Sequence, residues 1–358
     1  MQRPLRDTLA VAVGVENLNW LMAGTLAGTV LFSLILINIE RRMDIRKLVP
    51  YLLIVVAIGQ VCLYLRLREI SFLNALLYFS FNGATSLTIL TLTWRRITTV
   101  QGFTSNKMSA AYTATNLGAI AGPLLTLAIT HLLSEFFLLP FSAILLVLSA
   151  VYLISHDSRS ADEINLPISG SRLPVKRLIA FMALYTFVAT GFYYFTLKTV
   201  GTHLPQENRI QLFTVLDLIT NCSVLLLPYL LRSWSKRPIS FFIVPCISLL
   251  LYSALGIRFT IITAAAALVI FKITNLSVQR PARDWLYLQS RISTPYSTRN
   301  FLDVVIYRLG DVSAAWMITL LFNHGSGFTQ VLSVFVMAAS LWTITGYSIS
   351  KNINLTSR

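Results

Sequence analysis

The run FLDVVIYRLGDVSAAW at 301–316 is apolar apart from Asp303, Tyr307, Arg308 and Asp311. A charge at the middle of a lipid-spanning helix costs about 2.5–3.5 kcal/mol on insertion scales, so such charges face a bundle interior or a water-filled path. At 100° per residue Asp303, Tyr307 and Asp311 share one narrow face, and Arg308 lies about 60° beyond it. A guanidinium there can hold an anionic solute or work as a gate; the plainer role is an i,i+3 ion pair between Arg308 and Asp311. Lys272 lies inside an apolar run, three residues before Asn275. It can meet a phosphate or carboxylate as a point charge, or snorkel to the interface. Asp217 and Asn221 stand at i,i+4 on one helical face. They can bind a proton, a cation or an amine, or make an interhelical hydrogen bond. Arg3, Arg6 and Asp7, and again Arg280, Arg283 and Asp284, flank apolar spans, where they serve as gate pairs or interface anchors.

Other chemistries find no constellation. His131, His156, His203 and His324 are scattered without metal-ligand spacing, and Cys62, Cys222 and Cys246 form no CxxC pair. Neither a Ser/His/Asp grouping nor a phosphate-binding loop is present, so no enzyme, metal or cofactor is expected.

The elements that position these residues are set by composition. The 358 residues are 55% hydrophobic and only 12% charged, with mean hydropathy +0.69. Soluble domains carry about 25% charged residues, so this is an all-α polytopic membrane protein. Apolar spans of about 20 residues fall at 21–39, 48–66, 70–93, 110–132, 135–155, 178–199, 211–231, 239–257, 259–278, 301–322 and 328–349, about eleven in all. Residues 1–20 read as polar and then mildly apolar, without a cleavable signal core. The longest polar connection divides an N-terminal half, 1–155, from a linker, 156–177, and a six-helix C-terminal half, 178–358. Connections on one side of the membrane carry 20 Lys and Arg, and those on the other side carry 7. The richer side is cytoplasmic, and with it the linker and the C-terminus. The net charge of +15 is therefore a topology signal and not a nucleic-acid surface. Gly24-xxx-Gly28 and Gly118-xxx-Gly122 allow close helix packing.

Internal echoes suggest duplication. RPLRD at 3–7 matches RPARD at 280–284, and Asn116-Leu117-Gly118 matches Arg308-Leu309-Gly310 at an offset of 192. Six-span halves would give that offset, which leaves the first half one helix short, with an initial helix ending in RPLRD missing before Met1.

These stretches carry a resemblance. RPLRD at 3–7, NLGAIAGPLL at 116–125, FTVLDLITN at 213–221, RPARDWL at 280–286 and above all NFLDVVIYRLGDVSAAW at 300–316 resemble the ATP:ADP antiporter-like nucleotide transporters of the major facilitator superfamily, bacterial branch. Two stretches depart from that family's pattern: STPYSTR at 293–299 replaces a charged run, and NKMSAAY at 106–112 replaces a basic one. The resemblance implies a major-facilitator bundle of two pseudo-repeats in a bacterial inner membrane, working as a monomer. It implies transport by alternating access, the halves rocking about a midplane site, of a nucleotide in ATP/ADP-type exchange or of a similar anionic metabolite. The second reading, motivated by the missing helix and the altered loops, is a transporter-like membrane protein with a receptor or assembly role and no transport.

Overall fold

The computed structural model describes residues 2–40, 42–67, 69–100, 105–156, 175–230, 240–283 and 305–356. Among them every regular element is helical. The helices are α1 Gln2–Ala12, α2 Leu18–Glu40, α3 Ile45–Arg66, α4 Phe72–Val100, α5 Ser105–Leu132, α6 Leu138–Ser155, α7 Val175–His203, α8 Gln206–Leu230, α9 Ser240–Ile257, α10 Ile261–Thr274, α11 Tyr307–Asn323 and α12 Phe328–Thr356. Ten helices among the described residues are long and apolar enough to cross a membrane. The eleventh expected span is represented by the 17 residues of α11; its first residues, 301–304, lie outside the described residues.

Residues 1–20 hold more structure than their mixed composition suggests. α1 is a short helix whose Pro4, Leu5, Asp7, Thr8 and Leu9 are buried. It ends at Gly14, whose φ of 97° is the left-handed conformation that glycine adopts without a side-chain penalty. RPLRD thus lies within a helix that continues to Ala12, and α4 and α6 pack against that helix.

Local chemistry sets several boundaries. Asp44 accepts a 3.0 Å bond from the Arg46 amide at the start of α3, and Thr260 and Thr263 form a reciprocal cap on α10. Inside the spans, hydroxyls return to the helix that carries them: Thr25 to Leu21 O, Thr88 to Ala84 O, Ser248 to Val244 O and Thr343 to Ala339 O. That satisfies a polar group where no water is available. The outward faces are apolar. Tyr51, Val55, Ile58 and Leu65 form one exposed stripe at helical spacing, and Met337, Leu341 and Ile344 another. A soluble protein does not carry so many such faces; hydrocarbon is the solvent they suit.

The chain divides into two compact units. One holds the described residues of Met1–Leu166 with Gln206–Val215, the other those of Pro167–Pro205 with Leu216–Arg358. In the first, α3 packs on α6 and α4, α2 on α4, and α1 on α4 and α6. Leu5, Leu9, Leu63, Leu67, Tyr78, Leu138, Leu139 and Ile210 form its core cluster. In the second, α9 packs on α12 and α10, while α7 packs on α10, α11 and α12. Its core is aromatic: Tyr252 stacks on Phe192 at 4.0 Å and on Phe335 at 5.7 Å, and Trp342 lies beside Phe181 and Tyr185.

A candidate polar site inside the second unit

The site is built on α7, α8, α10 and α11. α10 does not end cleanly. At Asn275–Gln279 its hydrogen bonding widens to a π-helical turn, and the helix then resumes to Arg283. Such insertions are frequent at functional sites and free a backbone group from the regular ladder. They also rotate the remainder of the helix: counting 100° per α-helical residue and about 82° per π-helical residue, Lys272, Asn275, Gln279 and Arg283 fall within a sector of about 90°. The spacing i, i+3, i+7 and i+11 keeps these residues on one side of the helix with or without the π-helical turn, so that side is polar for its last three turns.

That side meets two neighbours. Lys272 Nζ donates to Asp217 Oδ1 on α8 at 3.0 Å, with side chains 25% and 10% exposed. Asn275 Nδ2 donates to the Tyr185 hydroxyl on α7 at 2.7 Å, and Arg283 Nη1 reaches Met182 Sδ at 3.2 Å. Ser277 and Gln279 are 1% and 2% exposed, and Ser277 Oγ and Gln279 Oε1 have no hydrogen-bond partner among the described residues.

α11 approaches the other flank of α7. Its Arg308 Nη1 donates to Asp311 Oδ2 at 3.2 Å, both side chains 9% exposed. Thr190 Oγ1 of α7 donates to Asp311 Oδ1 at 3.0 Å. Gly310 makes that reach possible. A Cβ on it would run into Thr186 Oγ1 and stand 2.7 Å from the Ala183 carbonyl oxygen. Tyr307 sets its ring edge-on to Tyr185 at 5.9 Å, and the Arg308 guanidinium lies 5.7 Å from the Tyr307 centroid. The segment RLGD is thus one device: the glycine seats the helix, the aspartate bonds across, and the arginine neutralises the aspartate.

Of the residues singled out from sequence, the structure brings Lys272 to Asp217 and Arg308 to Asp311. It sets Tyr307 against Tyr185 and places Arg283 at Met182. Asn221 is half-buried one turn beyond Asp217 on α8, and Arg280 is half-buried at the end of the π-helical turn. Asp303 and Asp284 lie outside the described residues. In the first unit Arg6 and Asp7 pair with each other at 2.8 Å, Arg6 also lies 5.1 Å from the Phe79 ring centroid, and Arg3 is exposed. Gly118 and Gly310 have unlike surroundings: among the described residues nothing stands within 4 Å of a Cβ on Gly118. Among the described residues no cluster of His, Cys, Asp or Glu could hold a metal.

Sequence reasoning missed Thr190, Tyr185 and, in the first unit, Arg96. Arg96 is 7% exposed and donates from Nη1 to Arg46 O at 2.8 Å and from Nη2 to Leu153 O at 3.0 Å. Both carbonyls need it. Pro50, four residues after Arg46, has no N–H to offer, and Leu153 lies in the last turn of α6. A proline at the sixth position of a helix, which leaves the carbonyl four residues before it without its usual N–H, is the signal that could have flagged it.

No family model and no curated protein matches this sequence.

Proposed function

We propose that this membrane protein is a solute transporter of the major facilitator type, working by alternating access, and that Arg308 and Lys272 in its second unit receive an anionic solute. The observation that carries the reading is the density of buried charge and amide on α7, α8, α10 and α11, within apolar helices and beside a π-helical interruption. Interrupted helices with convergent polar groups are the usual construction of transporter sites, and ionisable groups placed inside spans are kept for tasks.

The two pseudo-repeats belong to the same proposal, and two features of separate units support them. The pairs α3–α6, α3–α4, α1–α4 and α1–α6 recur as α9–α12, α9–α10, α7–α10 and α7–α12, each shifted by six helices. Pro50 and Pro245 each occupy the sixth position of the corresponding helices α3 and α9. On this assignment α1 is the counterpart of α7. α5 is then the counterpart of α11.

The resemblance at 300–316 makes a nucleotide the first substrate class to try. Purified protein in proteoliposomes is offered a panel of labelled nucleotides and smaller phosphate or carboxylate anions. Saturable uptake that Arg308→Ala removes supports the reading. Absence of uptake across the panel, with the protein folded, favours instead a receptor or assembly role without transport. The specific observation on that side is that Arg308 and Lys272 each already hold a carboxylate of the protein, as purely structural pairs would.

A further inference from the structure

Each of the two cations assigned to the anion site has a protein carboxylate within hydrogen-bond distance: Asp311 Oδ2 at 3.2 Å from Arg308 and Asp217 Oδ1 at 3.0 Å from Lys272. The first pair is buried on both sides. This arrangement bears on how the empty protein behaves. An alternating-access carrier must pass through a state closed to both sides of the membrane. A lone cation sealed there, without water or solute, is costly to bury, whereas a paired cation is already neutralised. A carrier whose cations are served only by its solute cannot return empty and is confined to exchange.

Asp311 is also held so that it can give up Arg308. Its other oxygen accepts from Thr190 Oγ1 at 3.0 Å, a bond from a different helix that does not depend on Arg308. When a solute anion takes the guanidinium, the aspartate keeps a donor and stays in place for the return.

Resting on the transporter reading above, we propose that Asp311 and Asp217 are built-in counter-anions that stand in for the solute in the empty protein. The solute-free form then reorients, and the protein catalyses net movement of its anion instead of obligate exchange. The step involves no covalent change: the solute's anionic group and the aspartate trade places on the cation.

The decisive experiment needs no knowledge of the solute. Cys62, Cys222 and Cys246 are replaced by serine, Asn221→Cys supplies one thiol beside the site, and the protein is reconstituted in solute-free vesicles. A membrane-impermeant maleimide is applied from outside or trapped inside. Labelling from both sides shows that the empty protein reorients, as proposed. Labelling from one side alone overturns the counter-anion proposal and leaves the transporter reading standing. Labelling from neither side removes both, because the site is then not on a path. In the same background Asp311→Asn should slow labelling from one side by about tenfold, as expected when a buried charge loses its partner. A parallel measurement uses labelled ADP as probe. Initial uptake into empty and ADP-loaded vesicles should differ by less than about twofold in the unmodified protein, and uptake that requires internal ADP contradicts the proposal.

Discussion

Thr190 on α7 and Asp311 on α11 are joined by a 3.0 Å hydrogen bond inside an apolar unit. Their separation of 121 residues makes this bond a tie between helices, and it fixes the carboxylate that faces Arg308. Bonds of this kind within membranes average about 0.6 kcal/mol and reach about 1.7. Thr190→Val should lower stability within that range, read as midpoint in graded denaturation in detergent micelles, and Thr190→Ser should restore it. Loss in Thr190→Ser with none in Thr190→Val would mean that the methyl group, and not the hydroxyl, matters.

Removing Arg308 alone leaves Asp311 buried with a charge. Breaking a buried pair costs about 3–5 kcal/mol, while neutralising both partners is often neutral. Arg308→Ala should therefore be destabilised, and Arg308→Ala with Asp311→Ala should recover stability. If Arg308 also binds solute, the double variant stays inactive in uptake at normal membrane abundance. Wild-type uptake by the double variant would reduce Arg308 to scaffolding and leave Lys272 as the anion group. Arg308→Lys should transport poorly, since a planar fork becomes a point charge.

Gly310 and Gly118 differ in what surrounds them. Gly310→Ala forces a methyl group to within 2.7 Å of the Ala183 carbonyl oxygen. Overpacking of this kind costs about 1–3 kcal/mol. Gly118→Ala meets no described atom within 4 Å and should leave stability unchanged or slightly raised. Parallel melting curves of the two variants separate the cases, and equal melting would refute the seating of α11 on α7.

Arg96 serves two carbonyls that their own helices leave open. Hydrogen bonds to charged groups are worth about 1.5–3 kcal/mol, so Arg96→Ala should cost about that much. Pro50→Ala returns an N–H four residues after Arg46. It should therefore reduce the penalty of Arg96→Ala, although it relieves only one of the two carbonyls. A double-mutant cycle with no coupling between positions 50 and 96 would refute this account.

Orientation rests on the 20-to-7 division of basic residues. A cysteine placed at exposed Lys351 in a thiol-free background should react only from the cytoplasmic side, and one at exposed His324 only from the opposite side. The reverse pattern would invert the topology.

What could be read from the sequence was what depends on solvent preference and spacing. Long apolar runs in a chain with few charges require helices in lipid, and those helices are present. The i,i+3 spacing of Arg308 and Asp311 was enough to foresee their pairing. Lys272 with Asp217 was not legible, because the two are 55 residues apart and only the packing of α8 near α10 joins them. α1 was missed because its burial comes from α4 and α6, which are far away in sequence. Thr190 looks like any hydroxyl on a greasy helix until Gly310 brings α11 close. The π-helical turn of α10 left no mark in composition, since widening a hydrogen-bond ladder needs no particular residue.

Gly310 also sets a mechanical limit. Sliding α11 along α7 by about one turn would bring the side chain of Tyr307 or Ala314 toward the Ala183 carbonyl, so this close approach exists only in the register that sets Gly310 there. Bending within this unit falls to wherever a backbone ladder is already irregular. α10 has such a place at Asn275–Gln279, between Lys272 and Arg283, so a flexure there would change the spacing of the two cations while α7 and α11 keep that register.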